Sequence, residues 1–367
     1  MDISPLPKQA TGTEGYLLVS AHEFVHQWQF SSGDLSLRPF GTEGAAVGIE
    51  LDTKISEGVF LAARSGQYPA ILTNLVRGNL TMVTNEALAP AYPILTYGMG
   101  IFWNYIQTQF DFNNQTMRRM IDILSSETAQ PLFKSYDYPY MWYSTVLNNT
   151  GASAALKQSF EELFSKDIKD VWNNFSISLV LLRNNESIPL QYRTIWPFWI
   201  YNTNYPGFPM ISAASEILGT QFANWWEVFD TNTPIPASWN VYAGQTFIPT
   251  LPANTTRSIK NLTSLSYTVP NNTNKITITI SKGEWRLTLL QFTSDGTPVG
   301  NFIMDGPHTI VGTGEHVFDV ANHAPAFTSE GSIRLVCSNV TFSGTGMELA
   351  DYLANEPTTG TIKIVRS

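Results

Sequence analysis

The feature that most restricts the fold of this chain is a series of short alternating segments that begins after Trp239. Residues 264–269, 275–281, 285–292 and 332–337 alternate apolar with polar side chains and are rich in β-branched residues. A period of two sends successive side chains to opposite faces, which is the pattern of a half-buried strand. Turn formers separate the runs at Pro270-Asn271, Asp295-Gly296 and Asp305-Gly306. Short strands at this spacing predict a β-sandwich, here of about 120 residues.

Ahead of residue 240 the period changes. Leu17, Ala21, Val25 and Trp28 recur at near-helical spacing over 16–30, and Thr42 is placed to cap a second helix over 42–63. Further helices are expected over 69–76, 97–110, 115–125, 152–164, 168–182 and 213–228. At 367 residues the chain exceeds what one core usually serves. The expected fold class is therefore a mainly α N-terminal domain, 1–240, followed by an all-β sandwich domain, 241–367.

Composition narrows the function classes. Charged residues make up 14% of the chain against roughly 25% in an average soluble domain, so Asn, Thr, Ser and Tyr must carry the surface polarity. The net charge of -9, with no Lys/Arg cluster, argues against nucleic acid as a partner. No segment reaches the roughly 18 consecutive apolar residues of a membrane span, and Asp2, Pro5 and Pro7 interrupt any apolar stretch of a leader at Met1. Nine Asn-x-Ser/Thr acceptors occur, at Asn79, Asn114, Asn148, Asn174, Asn185, Asn254, Asn261, Asn271 and Asn339. They make N-glycans possible partners, and with the sparse charge they point to an extracellular or cell-surface location. The single cysteine, Cys337, can form no internal disulfide and reads as a buried small hydrophobe in a strand.

One short segment carries chemistry. His22-Glu23-Phe24-Val25-His26 is an H-E-x-x-H pattern on a stretch that reads independently as helix. At i and i+4 the imidazoles project from one face a turn apart, close enough to share a zinc ion through nitrogen. Glu23 flanks that face, where its carboxylate serves as a general base without ligating. The bland alternative is two satisfied histidines one turn apart. A catalytic zinc also needs a third protein ligand, and seventeen residues after His26 comes Glu43, in Thr42-Glu43-Gly44-Ala45-Ala46-Val47-Gly48-Ile49-Glu50.

That run is similar to the E-G-x-A-x-x-x-E helix of gluzincin metallopeptidases, most of all the M1 aminopeptidases. The resemblance implies that Glu43 is the third ligand beside His22 and His26, and that the small residues let this helix pack on the H-E-x-x-H helix. It also implies that Tyr97, in Tyr97-Gly98-Met99-Gly100, matches the Y-x-x-G tyrosine that steadies the oxyanion. The likeness covers about residues 16–110. The G-x-M-E-N loop of the M1 enzymes has no counterpart ahead of His22, the interval to the glutamate is slightly shorter, and Met99 replaces the usual lysine.

The expected activity is hydrolysis of peptide bonds by a zinc-activated water, with a peptide or protein as substrate. The alternative is a catalytically reduced cell-surface structural or adhesive protein that keeps the peptidase fold. His308, His316 and His323 fall among Gly, Asn and Pro residues and read as solvated turn residues. Glu50 and Asp52 could orient the ligating imidazoles, or simply belong to a solvated helix face.

Overall fold

The computed structural model describes residues 20, 22–27, 46, 100–110, 150–181, 188–193, 241–242, 245–246, 248–292, 298–311, 313–322, 333–342 and 359–367. The expected helices over 69–76, 115–125 and 213–228, and the turn at Asp295-Gly296, lie outside them.

Three α-helices are described: α1 (Gly100–Gln109), α2 (Thr150–Phe164) and α3 (Ile168–Leu181), followed by a 3-10 turn at Leu190–Tyr192. The strands are β1 (Val241–Tyr242), β2 (Gln245–Thr246), β3 (Asn254–Lys260), β4 (Thr263–Val269), β5 (Lys275–Lys282), β6 (Glu284–Phe292), β7 (Pro298–Val311), β8 (Gly314–Asp319), β9 (Ile333–Asn339) and β10 (Thr359–Arg366). They form two four-stranded antiparallel sheets, ordered β3-β10-β5-β8 and β4-β9-β6-β7, and a small β1-β2 pair.

The two large sheets face each other over one apolar core. Ile276, Ile278 and Ile280 from β5, with Ile362 and Ile364 from β10, meet Leu265, Tyr267, Trp285, Leu287, Leu289, Leu335 and Cys337 from the other sheet. Alternation explains the membership: these side chains sit two apart along each strand and so share a face. In the β3-β10-β5-β8 sheet the other face is wet, as the alternating burial of β5 shows. Fully burying one such Ile or Leu stabilises the fold by about 1.5–3 kcal/mol.

The second sheet behaves differently, and here the expected fold class is corrected. Among the described residues 46% are strand and 33% helix, so the fold is mostly β and is not a mainly α domain followed by a β-sandwich. All seven residues of β9 are buried, because α3 covers the face of the sheet turned away from the core. Lys169 at the start of α3 pairs with Glu284 of β6 at 2.7 Å, Asp170 accepts from Arg286 at 2.6 Å, and the guanidinium of Arg334 on β9 reaches the carbonyl of Val180 at 3.5 Å. The helices form a layer on a sheet. Aromatic side chains hold that layer together: Phe102 of α1 lies 5.3 Å from Trp172 and 5.1 Å from Phe175 of α3, ring centre to ring centre, and 6.3 Å from Phe160 of α2.

The expected strands correspond to β4, β5, β6 and β9 within two residues at each end. Asp305-Gly306 is not a turn. It lies inside β7, where the pairing slips by one residue between Leu287 opposite His308 and Leu289 opposite Asp305. Gly306 absorbs that bulge at φ 101°, a value that costs a residue lacking a Cβ little. His308 and His316 likewise lie in β7 and β8, not in turns, and His323 falls outside the described residues.

The sheets are joined at one corner by Asn339. Its side-chain amide donates to the carbonyls of Ile259 at 3.0 Å and Lys260 at 2.9 Å on the facing sheet, while its Oδ1 accepts from the backbone N–H and the hydroxyl of Thr341 at 3.1 and 2.6 Å. The Thr341 oxygen accepts in turn from the Glu284 N–H at 2.8 Å. Gly283, at φ 92°, turns the chain from one sheet to the other beside it; a Cβ there would stand 2.7 Å from the Thr341 oxygen. Asn339→Ala would remove the bonds to the Ile259 and Lys260 carbonyls and leave the latter only the Thr263 hydroxyl, so a loss of about 1–3 kcal/mol is expected by urea denaturation. Asn271→Ala, at an exposed turn, should stay within about 0.5 kcal/mol of the parent.

Candidate metal centre

Residues 22–27 are helical, as the spacing of Ala21, Val25 and Trp28 requires. The helix turns Val25 into the protein at 3% exposure and buries both imidazoles, His22 at 8% and His26 at 7%. Glu23 is exposed on the same turn.

The two rings converge. The Nε2 atoms of His22 and His26 stand 2.9 Å apart, with ring centres at 4.5 Å and planes crossed at 87°. Two zinc–nitrogen bonds of about 2.0–2.1 Å at a tetrahedral angle would hold the nitrogens roughly 3.3 Å apart, a few tenths of an ångström wider. The geometry thus suits a cation shared by both rings. It equally suits one N–H···N hydrogen bond between neutral rings of complementary tautomer.

The other expected residues are divided. Glu43 and Tyr97, with Glu50 and Asp52, lie outside the described residues. Within the Glu43 segment, Ala46 is helical and fully buried, the kind of site where a small residue admits a close neighbour. Helix α1 includes Gly100, the last residue of Tyr97-Gly98-Met99-Gly100. Among the described residues no three His, Cys, Asp or Glu side chains gather into a metal-holding group, so what the structure brings together is the histidine pair.

Tyr105, further along α1, is a different kind of tyrosine. Its hydroxyl donates to the carbonyl of Gln191 at 2.5 Å, and burial holds its pKa well above the usual phenol range. That phenol anchors the 3-10 turn to α1. Cys337 sits in the sandwich core as expected, and burial pushes its thiol up.

The glycan acceptors separate by burial. Asn254 and Asn271 are exposed and Asn174 is half-buried, whereas Asn261 is buried and Asn339 has no exposure at all. The other four acceptors lie outside the described residues. No local signal distinguishes Asn339, since its role depends on carbonyls 79 and 80 positions away.

No protein-family model, curated protein or solved structure matches this chain.

A thiolate needs both exposure and charge stabilisation to react, and Cys337 has neither. A disulfide exchange reagent should therefore leave the native protein unlabelled for hours and consume one thiol promptly once denaturant is added; prompt labelling without denaturant would contradict the burial described here.

Proposed function

We propose that this chain is a zinc-dependent hydrolase of peptide bonds, and the observation that supports the reading most is the convergence of two buried imidazole nitrogens one helical turn apart beside an exposed glutamate. Two neutral imidazoles and a carboxylate are a donor set that fits zinc. His22 and His26 would supply the nitrogens and Glu43 the oxygen. Zinc bound there would act as a Lewis acid, polarising a carbonyl and lowering the pKa of water toward about 7.

The residues of the chain have separate tasks. Burial of His22 and His26 keeps the rings in one orientation. Glu23 takes the proton of the attacking water on its carboxylate and returns it to the leaving amine. Tyr97 donates its phenol hydrogen to the carbonyl oxygen as charge develops there. Low charge density and the exposed glycan acceptors Asn254 and Asn271 support an exterior setting for this chemistry.

One observation favours a second reading, a structural or adhesive surface protein. The exposed face of the β3-β10-β5-β8 sheet presents Thr256, Ser258, Thr279, Ser281 and Lys363, a polar surface suited to contact with other chains or glycans. Among the described residues no helix is long and apolar enough to cross a membrane.

Zinc analysis combined with digestion of a mixed peptide library separates the readings. Glu23→Gln should reduce hydrolysis by about 10²–10⁴-fold while zinc content stays unchanged, and His22→Ala or His26→Ala should lose the metal. Full activity in the glutamine variant would remove the assignment of the base; zinc held at stoichiometry without cleavage of any peptide would favour the adhesive reading. If the chain is glycosylated, peptide mapping should find glycan on Asn254 and Asn271 and none on Asn339, whose amide hydrogens are both engaged.

A further inference from the structure

The face that the β4-β9-β6-β7 sheet turns toward α3 carries many polar side chains. The inward set on these strands is Leu265 and Tyr267, Trp285 and Leu287, and Leu335 and Cys337. Alternation therefore assigns Ser264 and Ser266, Arg286 and Thr288, and Arg334 and Ser338 to the opposite face. Strand register aligns them in rows: Ser264, Ser338 and Arg286 lie side by side, then Ser266, Val336 and Thr288, then Thr268, Arg334 and Leu290.

The helix meets this face through Asp170, paired with Arg286, and through the carbonyl of Val180, which Arg334 reaches; helical spacing assigns Asn173 and Ile177 to the same side. The apolar side of α3 looks the other way, toward the aromatic cluster of α1 and α2. The two cores are thus bridged by a mixed layer, in which these polar groups lie among the buried Val336, Leu290 and Ile177.

Within that layer the hydrogen-bond inventory does not close. The Oγ atoms of Ser266 and Ser338, Oγ1 of Thr288, Oδ1 of Asn173 and the Nε atoms of Arg286 and Arg334 are all buried, and none has a hydrogen-bond partner among the described residues. These six make up most of the ten such side-chain atoms found. Each buried polar group left without a partner forfeits its hydrogen bonds to water, so six together would cost an amount comparable with the net stability of a whole domain. Among the described residues the surrounding strand backbone is engaged in sheet pairing.

An anion is a poor occupant. Arg334 lies against the C-terminal turn of α3, whose carbonyls already offset its charge, and against the ring of Phe292 at 4.5 Å. Water can donate and accept, and hydroxyls, an amide oxygen and guanidinium N–H groups demand both.

We propose that the layer between α3 and the β4-β9-β6-β7 sheet is a built site for buried water, roughly two or three molecules that bridge Asn173 and Arg334 to the hydroxyls of Ser266, Thr288 and Ser338. Solvent and two ion pairs thus join the helical layer to the sandwich alongside the buried Val336 and Leu290.

Crystallography of the intact protein at high resolution should show ordered water within hydrogen-bond distance of Oγ1 of Thr288 and Oγ of Ser266 and Ser338. Thr288→Val keeps the shape and removes the hydroxyl, so the sign of its effect is diagnostic. A bridged hydroxyl lowers the melting midpoint when removed, by about 1–3 °C in a chain of this size. A dry, unsatisfied hydroxyl raises it. Ser338→Ala should behave in the same way. Density without water at these atoms, or a midpoint that is unchanged or raised in the Thr288→Val protein, would overturn the proposal.

Discussion

Burial of β9 on both faces is the constraint on which the architecture depends. One side of the strand, through Ile333, Leu335 and Cys337, meets the isoleucines of β5 and β10. The other side, through Arg334, Val336 and Ser338, must be shielded from water by another element, and α3 supplies the shield. An antiparallel sheet commonly leaves one face wet; here that holds for the sheet of β3, β10, β5 and β8 and fails for its neighbour. The resulting order of layers is sheet, sheet, helix.

The two interfaces in this stack have opposite chemistry. Between the sheets the contact is apolar and interdigitated, and its energy scales with the area removed from water. Between the second sheet and α3 lie serines, a threonine, two arginines and an asparagine beside Val336 and Leu290, with ion pairs at the N-terminal end of the helix. Contacts of that kind are directional. They fix the position of the helix on the sheet while adding less net stability than an equal apolar area, because each group gives up water to form them.

The histidine pair belongs to a separate part of the chain, and its geometry is local. Two imidazoles at i and i+4 on one helix converge whatever the rest of the fold does, provided the helix forms and that face is buried. For this reason the pair was legible in the sequence at the level of residue and spacing. Its proposed completion by Glu43 and Tyr97 rests on likeness to gluzincin helices, since a third ligand from another helix depends on how two elements pack, and periodicity along one segment carries no information about that.

The chain's own residue order determined the strands β4, β5, β6 and β9, the helices α1 to α3 and the convergence of His22 with His26, because each follows from spacing within one segment. Tertiary structure alone decided that β9 would be covered twice and that Asp305-Gly306 would be a bulge and not a turn. It also decided that the acceptor-like Asn339 would tie two sheets together, and that a row of serines and a threonine would be buried under a helix. Those outcomes depend on which segments meet, and the partners of Asn339 and Arg334 stand 79 to 154 positions away. Alternation tells a strand that it has two faces, and only the neighbours that pack against them determine whether either face is wet.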